Sequence, residues 1–177
     1  MIAGRYGGRP LKSAGTRGLR PTAARVREAL FSILGREVED ARVLDLYAGT
    51  GALSIEALSR GAREAVCVER SGGALGALES NLAALGLEER VRVVRGEALA
   101  FCRRLDDTAE PFDLVFADPP YAEPLDPILR EVVERPWWTR ACVVEHAADR
   151  EPSATGAAEE TETRRYGDTA LSIFWRE

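Results

Sequence analysis

The sequence predicts one α/β domain: a mostly parallel seven-stranded sheet with helices on both faces, its last strand antiparallel, preceded by a basic N-terminal arm. Three observations carry this reading. Short apolar runs of strand length recur from residue 42 to residue 145 with amphipathic helical stretches between them, the pattern of βαβ units. A glycine-rich turn follows the first of these runs directly. Two further runs flank Gly167-Asp168 as a closing hairpin. A chain of 177 residues suits a single core, with the arm over residues 1–20 and the domain over 21–177.

The elements follow in order. Residues 1–20 are rich in glycine and read as an arm, a hairpin turning near Gly7-Gly8. Thr22 is placed to cap a helix whose apolar face is Val26, Ala29, Leu30, Ile33 and Leu34, with Gly35 near its end. Val43 to Tyr47 is the first strand, with a helix over 52–60. Ala65 to Glu69 is the second, with a helix over 72–85 ending at Gly86. Val91 to Val94 is the third, with a helix over 97–105. Phe112 to Ala117 is the fourth, with a helix over 125–135, and Ala141 to Glu145 is the fifth. Residues 148–162 are polar and read as a loop. Strands over 161–166 and 169–176 complete the sheet, with Trp175 in the core.

Charge is distributed unevenly. The net charge is −5, yet residues 1–36 hold Arg5, Arg9, Lys12, Arg17, Arg20, Arg25, Arg27 and Arg36 against Glu28 alone. A basic arm on an acidic body fits an anionic partner held at one end, and Arg5, Arg9, Lys12, Arg17 and Arg20 are the candidate contacts. No apolar run approaches the roughly 20 residues that cross a bilayer, and the N-terminus lacks a signal-peptide core. The expectation is a cytoplasmic protein without a membrane partner. Cys67, Cys102 and Cys142 form no C-x-x-C pair, so neither a disulfide framework nor a metal site is expected.

Four motifs carry chemistry. In Asp45-Leu46-Tyr47-Ala48-Gly49-Thr50-Gly51-Ala52, Gly49 and Gly51 let the backbone approach a ligand. Ser54 stands where a dinucleotide fingerprint wants Gly or Ala. Glu69, at the end of the second strand, can accept both hydroxyls of a ribose, whether of a nicotinamide cofactor or of S-adenosylmethionine. Gly96-Glu97-Ala98 lies where an adenine ring would sit, although a helix-start acid is the equal alternative for Glu97. Asp118-Pro119-Pro120-Tyr121 follows the fourth strand. Its prolines hold the backbone open and donate no hydrogen bonds. The Asp118 carboxylate and the Pro119 carbonyl can therefore both accept from one NH₂ group, freeing its conjugated lone pair. Tyr121 offers a face on which a base can stack. His146 and Trp137-Trp138 read as packing residues, and Arg20 and Arg27 suit either phosphate binding or ion pairs.

This combination is similar to a class I methyltransferase and resembles the RsmD family of bacterial 16S ribosomal RNA guanine-N2 methyltransferases. The resemblance is carried by Ile2-Ala3-Gly4 with Gly8-Arg9, by Leu19-Arg20-Pro21-Thr22 with Arg25-Val26-Arg27-Glu28 and Leu30-Phe31, and by Asp45 to Gly51 with Asp118 to Tyr121. It runs over essentially the whole chain. It implies a Rossmann-like fold and S-adenosylmethionine held by Asp45, Ala48, Gly49, Gly51, Glu69, Glu97, Ala98 and Asp118. It implies a catalytic segment Asp118, Pro119, Pro120 and Tyr121, and no metal. The implied substrate is the N2 amine of guanine 966 in 16S ribosomal RNA, within assembled or assembling 30S particles. Glu97 departs from the Asp or Asn usual in this superfamily. Two other readings stay open: a DNA adenine-N6 or protein glutamine-N5 methyltransferase with the same Pro-Pro-aromatic device, and a non-catalytic RNA-binding module.

Overall fold

The computed structural model describes residues 1–13, 21–106, 110–120, 122–150, 152, 158 and 160–176, with the backbone alone at 21–23. The chain runs α1 (Pro21–Leu34), β1 (Arg42–Asp45), α2 (Ala52–Ser59), β2 (Glu64–Glu69), α3 (Gly72–Leu85), β3 (Val91–Arg95), α4 (Ala98–Cys102), β4 (Phe112–Ala117), α5 (Leu125–Ile128), β5 (Trp138–Ala147), β6 (Glu160–Tyr166) and β7 (Thr169–Trp175). The seven strands form one sheet in the order β3-β2-β1-β4-β5-β7-β6. The first five are parallel neighbours, and β7 runs antiparallel to both β5 and β6. Strand order reverses between β1 and β4. In an open α/β sheet a ligand crevice lies outside the carboxyl ends of the strands at such a switch point.

Alternation along the strands builds two cores. Val43, Cys67, Phe116 and Val143 pack beneath α1, α2 and α3 with Phe31, Ile55 and Leu78. Leu44, Val66, Val115 and Cys142 pack beneath α4 and α5 with Ile128, Val132 and Trp138. Phe31 meets Phe116 edge to face with centroids 5.9 Å apart, which fastens α1 to the centre of the sheet. Ser71 caps α3 by accepting from Ala74, and Gly86 ends it in the left-handed region.

The helix expected over 97–105 is α only over Ala98–Cys102, and three further elements depart from the sequence reading. The helix expected over 125–135 is α for four residues and then a π-turn over Leu129–Val133. There the Trp138 indole donates to the carbonyls of Val132 and Val133, and Arg176 also donates to Val133, so the last turn is tied to the sheet rather than to its own ladder. β5 has ten residues rather than five, because seven-residue β7 pairs along it from Ala141 to Ala147. Polar Thr139, Arg140 and His146 hide its ends from an apolar pattern. β1 stops at Asp45, two residues earlier than expected, where the glycine turn begins. Trp175 is half-buried, packed at the edge of the first core.

The first residues form a docked strap. The Met1 ammonium donates to the Arg9 carbonyl and Gly8 N–H to the Met1 carbonyl, closing a loop around the short 3-10 turn Gly4–Tyr6. Ile2 and Ala3 donate to the carboxylate of Glu56 at 2.9 and 3.0 Å, and Tyr6 N–H donates to Ser59. Glu56 is fully buried and also pairs with Arg60. Further on, Asn81 accepts from Lys12 N–H and donates to the carbonyls of Lys12 and Thr50. The strap thus runs along α2 from its C-terminal end to the glycine turn. Among the described residues it contains no strand, so the expected hairpin is a loop closed by backbone hydrogen bonds. Thr22, the expected cap, lies outside the described side chains.

Candidate active site

The glycine turn is set by the sheet. Leu46 N–H donates to Phe116 and Ala48 N–H to Val68, so the chain leaving β1 is pinned to both neighbouring strands. Gly49 and Gly51 then take φ of +56° and +84°. The two glycines do different work. A Cβ on Gly49 would meet only the Tyr47 carbonyl oxygen, at 4.0 Å, which leaves the turn approachable by a ligand. A Cβ on Gly51 would lie 2.4 Å from Leu78 Cδ1 and 3.2 Å from Ile55 Cδ1. Gly51 is therefore required by helix packing and its left-handed backbone, in addition to any approach of its backbone to a ligand.

Glu69 sits across from this turn. Its two oxygens accept from Gly49 N–H at 2.8 Å and Ser71 N–H at 2.7 Å, so the acid braces both the glycine turn and the start of α3. Asp45 is buried at the end of β1. Ser54 donates to its Oδ2 at 2.8 Å, while its buried Oδ1 has no partner. Burial pushes this carboxyl up to about 7, against the Ser54 hydrogen bond.

An open cleft at the carboxyl ends of β1, β2, β3 and β4 brings together Tyr47, Glu69, Glu97, Ala98, Asp118 and Pro120. Glu97 is exposed and pairs with Arg70, and Arg70 also reaches Glu123, which accepts from the Tyr47 hydroxyl. This chain of contacts crosses the rim of the cleft. Its partners are solvent-exposed enough to contribute little to stability. Asp118 keeps an open edge toward solvent, and the protein packed behind it pushes its carboxyl up to about 6. Pro119 is buried and borders a second small cleft with Pro120, Glu123, Glu145 and His146. Glu145 was missed from the sequence because an acid in a strand reads as a solvent-facing alternation. Only the pairing of β4 with β5 brings it to this edge.

The other candidates separate from the cleft. Exposed Arg5 and Arg9 lie over the Tyr6 ring at 5.9 and 5.8 Å, beside the C-terminal end of α2. About 12 Å of helix separates them from the glycine turn. Lys12 is exposed and nearer the turn, through Asn81. Arg17, Arg20 and Tyr121 lie outside the described residues. Burial lowers Arg27, on α1, against the charge of Glu56. His146 is buried with Nε2 2.8 Å from Ser172 Oγ, and Trp137 and Trp138 are buried, all three packing within the sheet. Among the described residues no cluster of His, Cys, Asp or Glu is arranged to hold a metal ion, and no helix is long and apolar enough to cross a membrane.

Comparison with known proteins adds to this geometry. Residues 1–175 match the family described as Conserved hypothetical protein 95. The chain is 33% identical to the YlbH protein of Bacillus subtilis over 98% of its own length and 97% of that protein's. It is 42% identical over 121 residues to ribosomal RNA small subunit methyltransferase D of Escherichia coli, covering 68% of this chain and 59% of that one. The solved structure of the yhhF protein from Escherichia coli superposes with a TM-score of 0.84 at 32% identity, over 100% of this chain and 97% of that one.

Proposed function

The chain belongs to this family, the RsmD methyltransferases, and we propose that it methylates ribosomal RNA, transferring a methyl group from S-adenosylmethionine to the N2 amine of a guanine in 16S ribosomal RNA. The observation that carries the reading is the meeting of two motifs in one cleft: Asp118-Pro119-Pro120 opens from β4 beside the Glu69 carboxylate and the turn it braces. A relative at 42% identity is named as a small-subunit ribosomal RNA methyltransferase, which supports RNA as the substrate class.

The residues fit the cofactor. Glu69 keeps a lone pair on each oxygen for a ribose hydroxyl. The buried Oδ1 of Asp45 is an unsatisfied acceptor, the kind of atom that a bound donor completes. Gly49 leaves the wall of the turn open, and Ala98 and Glu97 border the place for an adenine. When bound, S-adenosylmethionine supplies the electrophilic methyl group. The protein's part is positioning and amine activation. The Asp118 carboxylate and Pro119 carbonyl accept the two amine hydrogens, which biases the nitrogen toward a tetrahedral lone pair. Asp118 then takes the proton. Tyr121 is assigned to stack the base.

The cleft lies in a single α/β domain, which suits recognition of a folded RNA by shape, and a loop guanine unstacks more readily than a paired one. Guanine 966 in assembled or assembling 30S particles is the expected site. The test is incubation with labelled S-adenosylmethionine and 30S particles, followed by digestion and mass spectrometry. N2-methylguanosine is expected. N6-methyladenine, or a methylated protein glutamine, would overturn the substrate and leave the fold standing.

A further inference from the structure

β4 and β5 pair in parallel with Ala117 opposite Val144 as their last matched residues. Asp118 precedes a proline, which keeps its backbone extended. The next step of the same register therefore sets Asp118 beside Glu145, on strands about 4.8 Å apart. Side chains so paired lie on the same face and within reach of one another. Ala117 and Val144 both face the core beneath α4 and α5, so the two acids fall together on the opposite face. Glu145 is half-buried, and the small cleft it lines is walled by Pro119 and Pro120 of the catalytic segment.

We infer that Glu145 is a positioning residue, which holds a proton against Asp118 and so keeps one Asp118 oxygen turned toward the substrate amine. This rests on the methyltransferase reading above. The groups around Glu145 leave Asp118 as its interacting charge. From β7 its register partner is Leu171, which carries none. On β5 itself His146 is engaged with Ser172 and the Ala147 carbonyl. From α1, Arg27 interacts with Glu56. Glu123 and Arg150 stand at the cleft's rim. Burial and the Asp118 charge push Glu145 up to about 8, while burial pushes Asp118 up to about 6. Two acids side by side, each raised, hold one proton between them near neutral pH, and the inference places it on Glu145.

The consequence for the reaction is a division of labour. Protonated Glu145 donates to one oxygen of Asp118. The other Asp118 oxygen accepts from the amine. As the nitrogen is methylated, one of its N–H bonds breaks, the electron pair stays on nitrogen, and Asp118 becomes a neutral acid that releases its proton to solvent through the open cleft. Raising the pH through the Glu145 titration removes the donor and sets two like charges side by side, so Asp118 loses its orientation.

Two measurements on the full-length protein test this. The first needs no substrate, so it stands apart from the methyltransferase reading. Infrared difference spectra of wild type against Glu145→Gln at pH 7 are expected to show a protonated-carboxylic-acid band in wild type that fades as pH passes about 8. A wild-type titration whose protonated-acid band is only the Asp45 component, titrating near 7, overturns the inference, whether or not the variant folds. The second is the pH profile of methyl transfer from labelled S-adenosylmethionine to 30S particles. The wild-type rate at pH 9 should fall to about one-tenth of its pH 7 value. In Glu145→Gln the ratio of the two rates should stay near one, because an amide donates at every pH. An alkaline decline that persists in Glu145→Gln assigns it to another group and overturns the inference.

Discussion

Glu69 accepts the backbone N–H of Gly49 at 2.8 Å, so the acid that ends β2 is also the brace of the turn that follows β1. A hydrogen bond to a charged acceptor contributes about 1.5–3 kcal/mol. Glu69→Ala is therefore expected to weaken S-adenosylmethionine binding by tenfold or more in calorimetry and to lower the melting temperature as well. Glu69→Gln, which retains one acceptor oxygen, should lie between. Wild-type affinity in Glu69→Ala would remove Glu69 from the cofactor site.

The two glycines of the turn should separate. Gly51→Val drives a branched side chain into Leu78 and Ile55, an overpacking that costs about 1–3 kcal/mol. It should appear first as lost stability in denaturant titration. Gly49→Ala makes only an ordinary contact with the Tyr47 carbonyl oxygen and carries chiefly the left-handed backbone cost of about 1–2 kcal/mol. It is expected to fold and to bind the cofactor more weakly. If Gly51→Val is as stable as wild type, the packing account of that glycine fails.

If Asp118 accepts from the substrate amine as proposed, Asp118→Ala should abolish turnover while leaving cofactor affinity within a few-fold of wild type. Tyr121→Ala should raise the Michaelis constant for RNA, since stacking contributes about 1–3 kcal/mol per base. Tyr121→Phe should keep most activity. Near-normal turnover in Asp118→Ala is the result that sinks amine activation.

The N-terminal strap should prove structural before it proves functional. Deleting residues 1–18 removes the Ile2 and Ala3 donors from the buried carboxylate of Glu56, a loss on the order of 3 kcal/mol. The truncated chain should melt much earlier than wild type rather than remain a sound domain. The cleaner probe of RNA contact is the double substitution of Arg5 and Arg9 to Ala, both exposed. If both touch phosphates, the salt dependence of RNA binding should flatten by about two contacts. An unchanged slope would place the RNA elsewhere.

Asp45 gives the stability a pH dependence of defined sign. Its folded carboxyl titrates near 7, well above the ordinary carboxylate range. The folded state thus holds the proton more tightly than the unfolded state, and stability falls as pH rises from about 4 to about 7. Asp45→Asn should be close to neutral at pH 4 and stabilising at pH 8, by chemical denaturation. A gain that shrinks with rising pH would contradict this.

Much of the fold was legible because burial leaves a period. The apolar runs at Val43, Ala65, Val91, Phe112 and Ala141 each became a strand, and Gly86 and Gly167 marked turns that the backbone indeed makes with positive φ. The cleft was legible through Gly49, Glu69 and Asp118, whose types are chemically restrictive at strand ends. What the residue pattern hid depends on partners distant in the chain. Asn81 is one polar residue on α3, and nothing local says that it ties Lys12 to Thr50. Glu145 gains meaning only from the strand beside it. The packing demand on Gly51 was hidden because the side chains that need its space, Leu78 and Ile55, lie on two different helices.

The three tryptophans lie at one end of the molecule. Trp137 and Trp138 stand at the start of β5, and Trp175 pairs with Ala141 at the end of β7. Arg176 stacks 3.7 Å over the Trp138 ring and donates to the carbonyls of Val133, Arg135 and Trp138. That end is where the parallel strands begin, opposite the cleft at their carboxyl ends. The protein's intrinsic fluorescence is thereby an optical reporter of the closing of its last strand, set apart from the ligand. Emission can follow unfolding in the presence of nucleotide or RNA without a contribution from tryptophans at the site, so folding and binding can be recorded as two independent signals from one sample.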